Sequence, residues 1–205
     1  MHRNAKNTRP MIELPKIVLA SGSPRRSEIL SSVGWEFIRH VPYIDESERA
    51  DEPPEDYVVR LAREKAELVG HAYPSETILG ADTTVVIDGR MLGKPVDLDD
   101  ARNMLRELSG NWHTVLTGVA VVRDGETNSG LQATNVKFAK MSDNEIEFLA
   151  VEGSPLDKAG AYAVQAQAAL FIEGIDGDYW NIVGLPINLV YKLIAGPTFR
   201  TEIAD

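Results

Sequence analysis

Two adjacent arginines, Arg25 and Arg26, stand in the first turn of a predicted helix, where positive charge is ordinarily unfavourable. They follow the apolar run 17–20, and the Ser23 and Pro24 before them are typical of a helix N-cap and first helical residue. The dipole of a helix opposes each cation at this end by about 0.3–1 kcal/mol. The two arginines therefore indicate that an anion binds at this turn.

A phosphate chain fits such a turn, because unpaired helix N–H groups and serine hydroxyls donate to it and guanidinium groups bind it through paired hydrogen bonds. The sequence predicts phosphate contacts from Ser21, Ser23, Arg25 and Arg26. The alternative is a solvated surface turn whose arginines pair with nearby carboxylates. This segment alone favours neither interpretation.

Composition narrows the class of anion to a small ligand. The chain has 205 residues, a formal net charge of −10 and no cysteine. So acidic a chain has no general attraction for nucleic acids or anionic membranes, and without cysteine it has no disulfides or thiolate metal sites. No apolar run is long enough to span a bilayer, and residues 1–16 contain no apolar signal core. We therefore expect a cytoplasmic protein that binds neither nucleic acid nor membrane.

Strands alternate with helices along the chain, which predicts an α/β fold with a mixed sheet. Two Asp-Gly pairs, at 88–89 and 124–125, predict tight hairpins. The small residues of 159–170 suit either a helix or a close approach of the backbone to a ligand. We expect one domain over residues 16–196, a loosely ordered extension over 1–15 and a tail over 197–205. The predicted helices begin near 24, 53, 97, 142 and 186, and the predicted strands cover 17–20, 35–41, 77–81, 83–87, 112–122 and 132–139.

Acidic residues and lysines elsewhere in the sequence are of the kinds that phosphoryl chemistry requires. Asp82 lies in an otherwise apolar strand region, where a carboxylate is costly unless it is paired or holds a metal. Asp45 and Glu46 follow a strand, Lys65 has apolar neighbours on a helix, and Lys94 lies in a turn before a proline. Magnesium binds one or two carboxylates together with substrate phosphates. Taken singly, Asp45, Glu46 and Lys94 are more typical of solvated surface charges.

Two further features are weaker signals. Asp157 and Lys158 are adjacent opposite charges, which are typical of a surface pair, and His113 lies between Trp112 and Thr114 in a predicted strand, which is typical of a structural histidine. The chain contains neither GxxxxGK[ST] nor GxGxxG, which argues against the common P-loop and dinucleotide sites.

Eight segments, taken in order, resemble the motifs of the Maf family of nucleoside triphosphate pyrophosphatases. They are LASGSPRR (19–26), DE (45–46), LAREKA (61–66), GADT (80–83), LGKP (92–95), HTVLTGV (113–119), LDKAGAYAVQ (156–165) and IVGLP (182–186). The resemblance implies a two-lobed α/β fold, similar to that of the inosine triphosphate pyrophosphatases, in which helices flank a long mixed sheet and a nucleotide cleft separates the lobes. It also implies cleavage between the α and β phosphates, dependent on a divalent metal cation (Mg or Mn), and a homodimer, since members are often dimers.

The same resemblance implies roles for particular residues. Asp82 matches the family's proton acceptor, and Arg25, Thr83 and Gln165 match positions associated with substrate choice. A sister subgroup similar to 7-methyl-GTP pyrophosphatases carries tryptophan, glutamine and glutamate at those three positions, so this chain resembles the dTTP/UTP subgroup, which also accepts modified pyrimidine nucleotides. The alternatives are a 7-methyl-GTP pyrophosphatase and a nucleotide-binding regulator of septum formation without significant turnover.

Elementary chemistry assigns further roles within that resemblance. Asp82 would act either as a general base toward water or, with Glu46, as a ligand of a metal that carries hydroxide, and the sequence leaves both open. Lys65, Lys94 and the two arginines would stabilise charge on the phosphates. The amide of Gln165 both donates and accepts, which matches the edge of uracil or thymine.

Overall fold

The computed structural model describes residues 14–196, whose strands and helices follow the predicted order with two additions. The strands are β1 (Ile17–Ala20), β2 (Phe37–His40), β3 (Thr77–Ile87), β4 (Arg90–Leu92), β5 (Trp112–Arg123), β6 (Glu126–Phe138) and β7 (Ile172–Asp176). The helices are α1 (Pro24–Ser32), α2 (Pro54–Gly70), α3 (Leu98–Leu108), α4 (Asp143–Glu152), α5 (Tyr179–Val183) and α6 (Ile187–Ala195). Short 3₁₀ turns occupy Pro155–Asp157, Ala159–Ala161 and Gln167–Phe171. No helix within this part of the chain is long and apolar enough to cross a membrane.

All seven strands join one mixed sheet, as the sequence predicts. Its order is β2-β1-β3-β5-β6-β7, and β4 pairs with β3. The strand β1 runs parallel to β2 and β3, whereas the other pairs are antiparallel. The two Asp-Gly turns have positive φ at both residues, which matches the twist of hairpin strands. The capping box at the start of α4 is also confirmed, since Ser142 and Glu145 form both of its reciprocal bonds.

Several boundaries differ from the sequence predictions. The strand β3 runs without a break through Asp82, and β6 begins at Glu126 rather than at 132. The pairing of β6 with β5 continues down to the Asp-Gly turn, so polar residues there stay in the strand despite low strand propensity. The elements β7 and α5 were not predicted. The predicted tail, and the predicted extension up to residue 13, lie outside the described residues.

Two of the three buried clusters in the described residues define two lobes that share the long central strands, and the third packs α2 on β1, β3 and β5. The first lobe packs α1 and α6 against β1 and the neighbouring halves of β3 and β5, and the second packs α3 and α4 against the opposite halves and β6. Along β3, Leu79 and Ala81 belong to the first cluster, whereas Val85 and Ile87 belong to the second. Thr83 lies between these two pairs of residues, where β3 passes from one lobe to the other. The predicted two-lobed α/β architecture is confirmed.

Close packing of α2 on the sheet depends on two glycines. A Cβ atom on Gly80 would overlap the carbonyl oxygen of Ala62 and lie 2.9 Å from the Cβ of Ala66, and one on Gly118 would overlap the backbone of Val58. Contacts this short force the backbone or the helix to move. The glycines therefore set how closely α2 approaches β3 and β5.

His113, on β5, packs in the core of the second lobe. Its side chain stacks on Phe138 with ring centroids 5.5 Å apart, and its Nε2 lies 2.8 Å from the hydroxyl of Tyr162. The residue is 3% exposed, and burial lowers the pKa of its imidazole to about 4. The structural role predicted for His113 is confirmed.

This buried histidine predicts a pH dependence of folding. The unfolded chain protonates His113 below its ordinary pKa of about 6.5, whereas the folded protein resists protonation down to about pH 4. Protonation of this residue therefore stabilises only the unfolded chain between about pH 6.5 and pH 4. The free energy of unfolding is at its full value above about pH 6.5 and decreases as pH falls toward 4. Urea unfolding at pH 7 and pH 5 should show that His113→Gln loses about 2 kcal/mol less free energy of unfolding over this interval than the wild type does. Equal losses in the two proteins would contradict the assignment.

Candidate active site

The candidate site is a cleft of about 560 Å³ at an interruption in strand pairing. On one edge of β3, β1 pairs with residues 77–80 and β4 pairs with residues 85–87, which leaves residues 81–84 without a strand partner on that edge. The cleft lies there, between the lobes, and its volume is typical of small-molecule sites. Adjacent strand residues that point to opposite faces, such as Asp82 and Thr83, therefore both line it.

Positive charge is concentrated in this cleft. Five cationic and three acidic side chains line it, an excess of two positive charges in a chain whose formal net charge is −10. Cations at the wall of a cleft attract anionic ligands and raise their local concentration. The cations are Arg25, Arg26, Lys65, Lys94 and Lys158, and the acids are Glu46, Asp82 and Asp157.

Lys65 joins two of the acids. Its Nζ lies 2.6 Å from Oδ1 of Asp82 and 2.7 Å from Oε1 of Glu46, so α2, β3 and the loop after β2 meet at one ammonium group. The Lys65 side chain is only 9% exposed, and a charge so well covered must be paired. Burial raises the pKa of Glu46, but the bond to Lys65 and its charge outweigh burial and hold that pKa below its usual range.

Tyr57 and Arg60 of α2 fix the loop that carries Glu46. The Tyr57 hydroxyl donates to the carbonyl oxygen of Glu46 at 2.9 Å, and Arg60 donates to the carbonyl oxygen of Ser47 at 3.1 Å. Burial, together with the charges of Asp82 and Glu46, raises the pKa of Tyr57 to about 12, so its hydroxyl remains a donor at neutral pH. The sequence reasoning missed Tyr57 as a site residue, although its spacing from Lys65, two steps of four residues, places both on one side of α2.

Arg26 is buried and bonded to uncharged oxygen atoms. Its Nε donates to the carbonyl oxygen of Gly184 at 2.9 Å, its Nη1 to Ser21 Oγ at 3.0 Å and its Nη2 to Thr83 Oγ1 at 3.2 Å. The Thr83 hydroxyl in turn lies 2.9 Å from that of Thr117. These bonds hold the guanidinium of Arg26 rigidly at the wall of the cleft, and no carboxylate within residues 14–196 forms an ion pair with it.

Arg25 pairs with a carboxylate, as the surface-turn alternative predicts. Its Nη1 lies 2.7 Å from Oδ2 of Asp157, and its Nη2 donates to the carbonyl oxygen of the same residue at 2.9 Å. Asp157 and Lys158 do form the expected pair, with Nζ of Lys158 2.6 Å from Oδ1 of Asp157, but the pair lines the cleft. Gly160, with φ of 65°, donates to the carbonyl oxygen of Gly93 at 3.1 Å and folds this segment over the site.

Of the remaining predicted site residues, some line the cleft and one lies outside it. Lys94, Gln165 and Ser23 line the cleft, whereas Asp45 lies outside it and accepts a hydrogen bond from the N–H of Ser47, as a surface residue would. Ser23 does occupy the N-cap position of α1, but its side chain makes no capping bond. Its N–H instead donates to Ser21 Oγ at 3.1 Å.

The carboxylates of Glu46 and Asp82 fit a metal that arrives with phosphate. Each uses one oxygen atom on Lys65, so the second oxygen atom of each carboxylate remains as a donor. Residues 14–196 hold no group of three or more histidine or acidic side chains arranged to bind a metal ion. Two carboxylates completed by substrate phosphates and water are a typical magnesium donor set.

Comparison with known proteins places this chain in a family. A family model described as Maf-like protein matches residues 16–196. The chain is 46% identical over 181 residues to a dTTP/UTP pyrophosphatase of Symbiobacterium thermophilum, covering 88% of this chain and 93% of that protein. It is 49% identical over 175 residues to a dTTP/UTP pyrophosphatase of Hahella chejuensis, covering 84% and 87%.

Among solved structures, a nucleoside-triphosphatase / dITP/XTP pyrophosphatase from Mycobacterium abscessus is 20% identical with a TM-score of 0.41, covering 62% of this chain and 75% of that one. The family match itself spans nearly all of the described residues. The chain belongs to the Maf-like protein family.

Proposed function

We propose that this protein hydrolyses nucleoside triphosphates, principally dTTP, UTP and modified pyrimidine nucleotides, to the nucleoside monophosphate and pyrophosphate. The observation that carries the proposal is the group of Asp82, Lys65 and Glu46 at the wall of a cleft lined by five cations. Paired carboxylates provide the groups that activate water, and the cations provide charge for a phosphate chain. Relatives at 46–49% identity that are named dTTP/UTP pyrophosphatases support this substrate class.

In the proposed reaction, water attacks the α phosphate and pyrophosphate leaves. Asp82 would accept the proton of the attacking water or would help to hold a metal ion that lowers the pKa of that water. Lys65 donates to Oδ1 of Asp82, which leaves the other carboxylate oxygen for this role. Lys94 and Arg26 would stabilise the negative charge that develops on the phosphate oxygens.

A divalent cation, Mg²⁺ or Mn²⁺, is part of this proposal. Glu46 and Asp82 would hold it, and when bound it supplies charge neutralisation and a water of lowered pKa. Lys65 holds the two carboxylates at fixed positions, with Asp82 largely buried and Glu46 half-exposed. The net charge of −10 supports free nucleotides rather than nucleic acid as ligands, and we propose that the protein acts in the cytoplasm as a homodimer.

Gln165 and Thr83 are the proposed determinants of base choice. Gln165 lines the cleft and is exposed within it, so its amide is available to a base. The Thr83 hydroxyl is bonded to Arg26 and Thr117, which suggests that Thr83 acts through the position of Arg26. A glutamine in place of Thr83 is larger and would displace the guanidinium of Arg26.

The first test identifies the products. With Mg²⁺ or Mn²⁺ present, dTTP and UTP should yield the monophosphate and pyrophosphate, and a chelator should abolish turnover. Chromatography of the nucleotides with separate assays of pyrophosphate and orthophosphate resolves the products, and 7-methyl-GTP and the other nucleoside triphosphates complete the panel. Release of orthophosphate through the diphosphate, a preference for 7-methyl-GTP or binding without turnover would each refute the proposal.

Replacing Asp82 tests the reactive carboxylate. Asp82→Asn keeps the size of the side chain and removes its charge, so kcat should fall roughly 10²-fold or more, as is typical on losing a general base or metal ligand. Asp45→Asn is a matched control, because Asp45 lies on the same loop as Glu46 but outside the cleft, and it should leave kcat unchanged. Circular dichroism and thermal unfolding check the fold. Near wild-type turnover of a folded Asp82→Asn would make this carboxylate structural.

Replacing Gln165 tests the reading of the base. An unpaired polar group facing the wrong edge costs about 1–3 kcal/mol, so Gln165→Glu should lower kcat/KM for UTP and dTTP roughly tenfold to a hundredfold relative to 7-methyl-GTP. Lys94→Gln, by contrast, should lower kcat/KM for all three alike, since phosphates carry no base identity. Gln132→Glu on β6 adds the same charge away from the cleft and serves as control. Equal losses across the substrates on changing Gln165 would show that it does not read the base.

A further inference from the structure

The carboxylate of Asp157 lies between two cations that come from opposite sides of the cleft. Oδ2 lies 2.7 Å from Nη1 of Arg25, and Oδ1 lies 2.6 Å from Nζ of Lys158. Arg25 belongs to α1 in the first lobe, whereas Asp157 ends the 3₁₀ turn that follows α4 in the second lobe. A single anionic group therefore bridges the two lobes at this point.

Both cations have a second partner that does not depend on this carboxylate. Arg25 donates through Nη2 to the carbonyl oxygen of Asp157, and Lys158 donates to the carbonyl oxygen of Ser154. The side chains of Arg25 and Lys158 are only 21% and 12% exposed, whereas that of Asp157 is 56% exposed. The carboxylate can thus turn into water while the two cations stay in place.

From this geometry we propose that Arg25 and Lys158 form a subsite for one phosphate group of the pyrophosphate unit, and that Asp157 occupies the subsite until that phosphate displaces it. A phosphate group presents two oxygen atoms much as a carboxylate does and carries more negative charge, so it gains more from an arginine and a lysine. The inference rests on the proposed function, in which pyrophosphate is the leaving group.

The position of the subsite fits the outer phosphates. Asp82 and Glu46 must face the bond that is cleaved, and the cation that pairs with them is Lys65. Arg25 and Lys158 line the same cleft but have Asp157 as their acidic partner. We therefore assign Arg25 and Lys158 to the phosphates that depart as pyrophosphate.

Asp157 competes with every anion at neutral pH. Burial raises the pKa of its carboxyl group, but the bonds to Lys158 and Arg25 outweigh burial and lower that pKa to about 2. The carboxylate is consequently charged throughout the working range of pH. Its competition weakens the binding of the product pyrophosphate and so favours product release.

Titration with inorganic pyrophosphate tests the subsite without any turnover. In calorimetry of the full chain, with and without Mg²⁺, Asp157→Asn should lower the Kd for pyrophosphate roughly tenfold, because it removes one charge of like sign next to the ligand. Asp176→Asn is the matched control, since Asp176 is exposed on β7 and lies outside the cleft, and it makes the same change in net charge. Its Kd should stay at the wild-type value.

Lys158→Gln supplies the second arm of the test. Alone it should weaken pyrophosphate binding, and combined with Asp157→Asn it should remove most of the gain that Asp157→Asn produces. Asp157→Ala repeats the test without an amide, and thermal unfolding reports the folding of each variant. In steady-state assays with dTTP, Asp157→Asn should also show stronger inhibition by pyrophosphate.

An unchanged or higher Kd for pyrophosphate in the folded Asp157 variants would overturn the inference, because it would make Asp157 only a tie between the lobes. A gain in affinity that survives Lys158→Gln would overturn it as well. The calorimetry judges the subsite independently of catalysis. Failure to hydrolyse dTTP and UTP would refute the proposed function and leave the binding result to stand on its own.

Discussion

The site depends on one ammonium group that is shared by two carboxylates in a largely buried position. The ion pairs with Asp82 and Glu46 compensate the burial of the Lys65 ammonium, and the same lysine compensates the burial of the Asp82 carboxylate inside a strand. The distances between these groups follow from how closely α2 approaches the sheet, which Gly80 and Gly118 permit. A main-chain packing constraint thus determines the geometry of the reactive carboxylate.

The interruption in strand pairing explains why residues of so many elements meet in one cleft. Strands β1 and β4 both pair with the same edge of β3, and between their pairing segments residues 82–84 belong to neither of the clusters that define the two lobes. Asp82 points to the face covered by α2, whereas Thr83 points to the face where α1 packs, as the bonds to Lys65 and Arg26 show. A ligand at that edge reaches both faces of the sheet, which a ligand lying on one face could not do.

Local patterns predicted local structure well, and contacts distant in sequence were predicted poorly. The capping box at Ser142 and the Asp-Gly turns involve neighbours whose conformations the residue types largely determine. Asp82 also stood out, because a carboxylate in an apolar strand needs a specific partner. The bond between Arg25 and Asp157 joins residues 132 positions apart, and nothing in either segment encodes it. The elements β7 and α5, five residues each, are too short for periodicity to reveal them.

The two adjacent arginines that indicate an anion site have different environments, and the difference assigns them different functions. Arg26 is buried among uncharged acceptors, so its position is fixed and its charge is not neutralised by an ion pair with any carboxylate of residues 14–196. Arg25 is more accessible, and its charge is balanced by the half-exposed carboxylate of Asp157, which can turn away into water. A fixed cation pre-organises a site, because its orientation is determined before the ligand binds. A cation whose partner can be replaced allows the ligand to leave again. A turn with both properties suits a reaction whose product is a highly charged anion that must be released in every cycle.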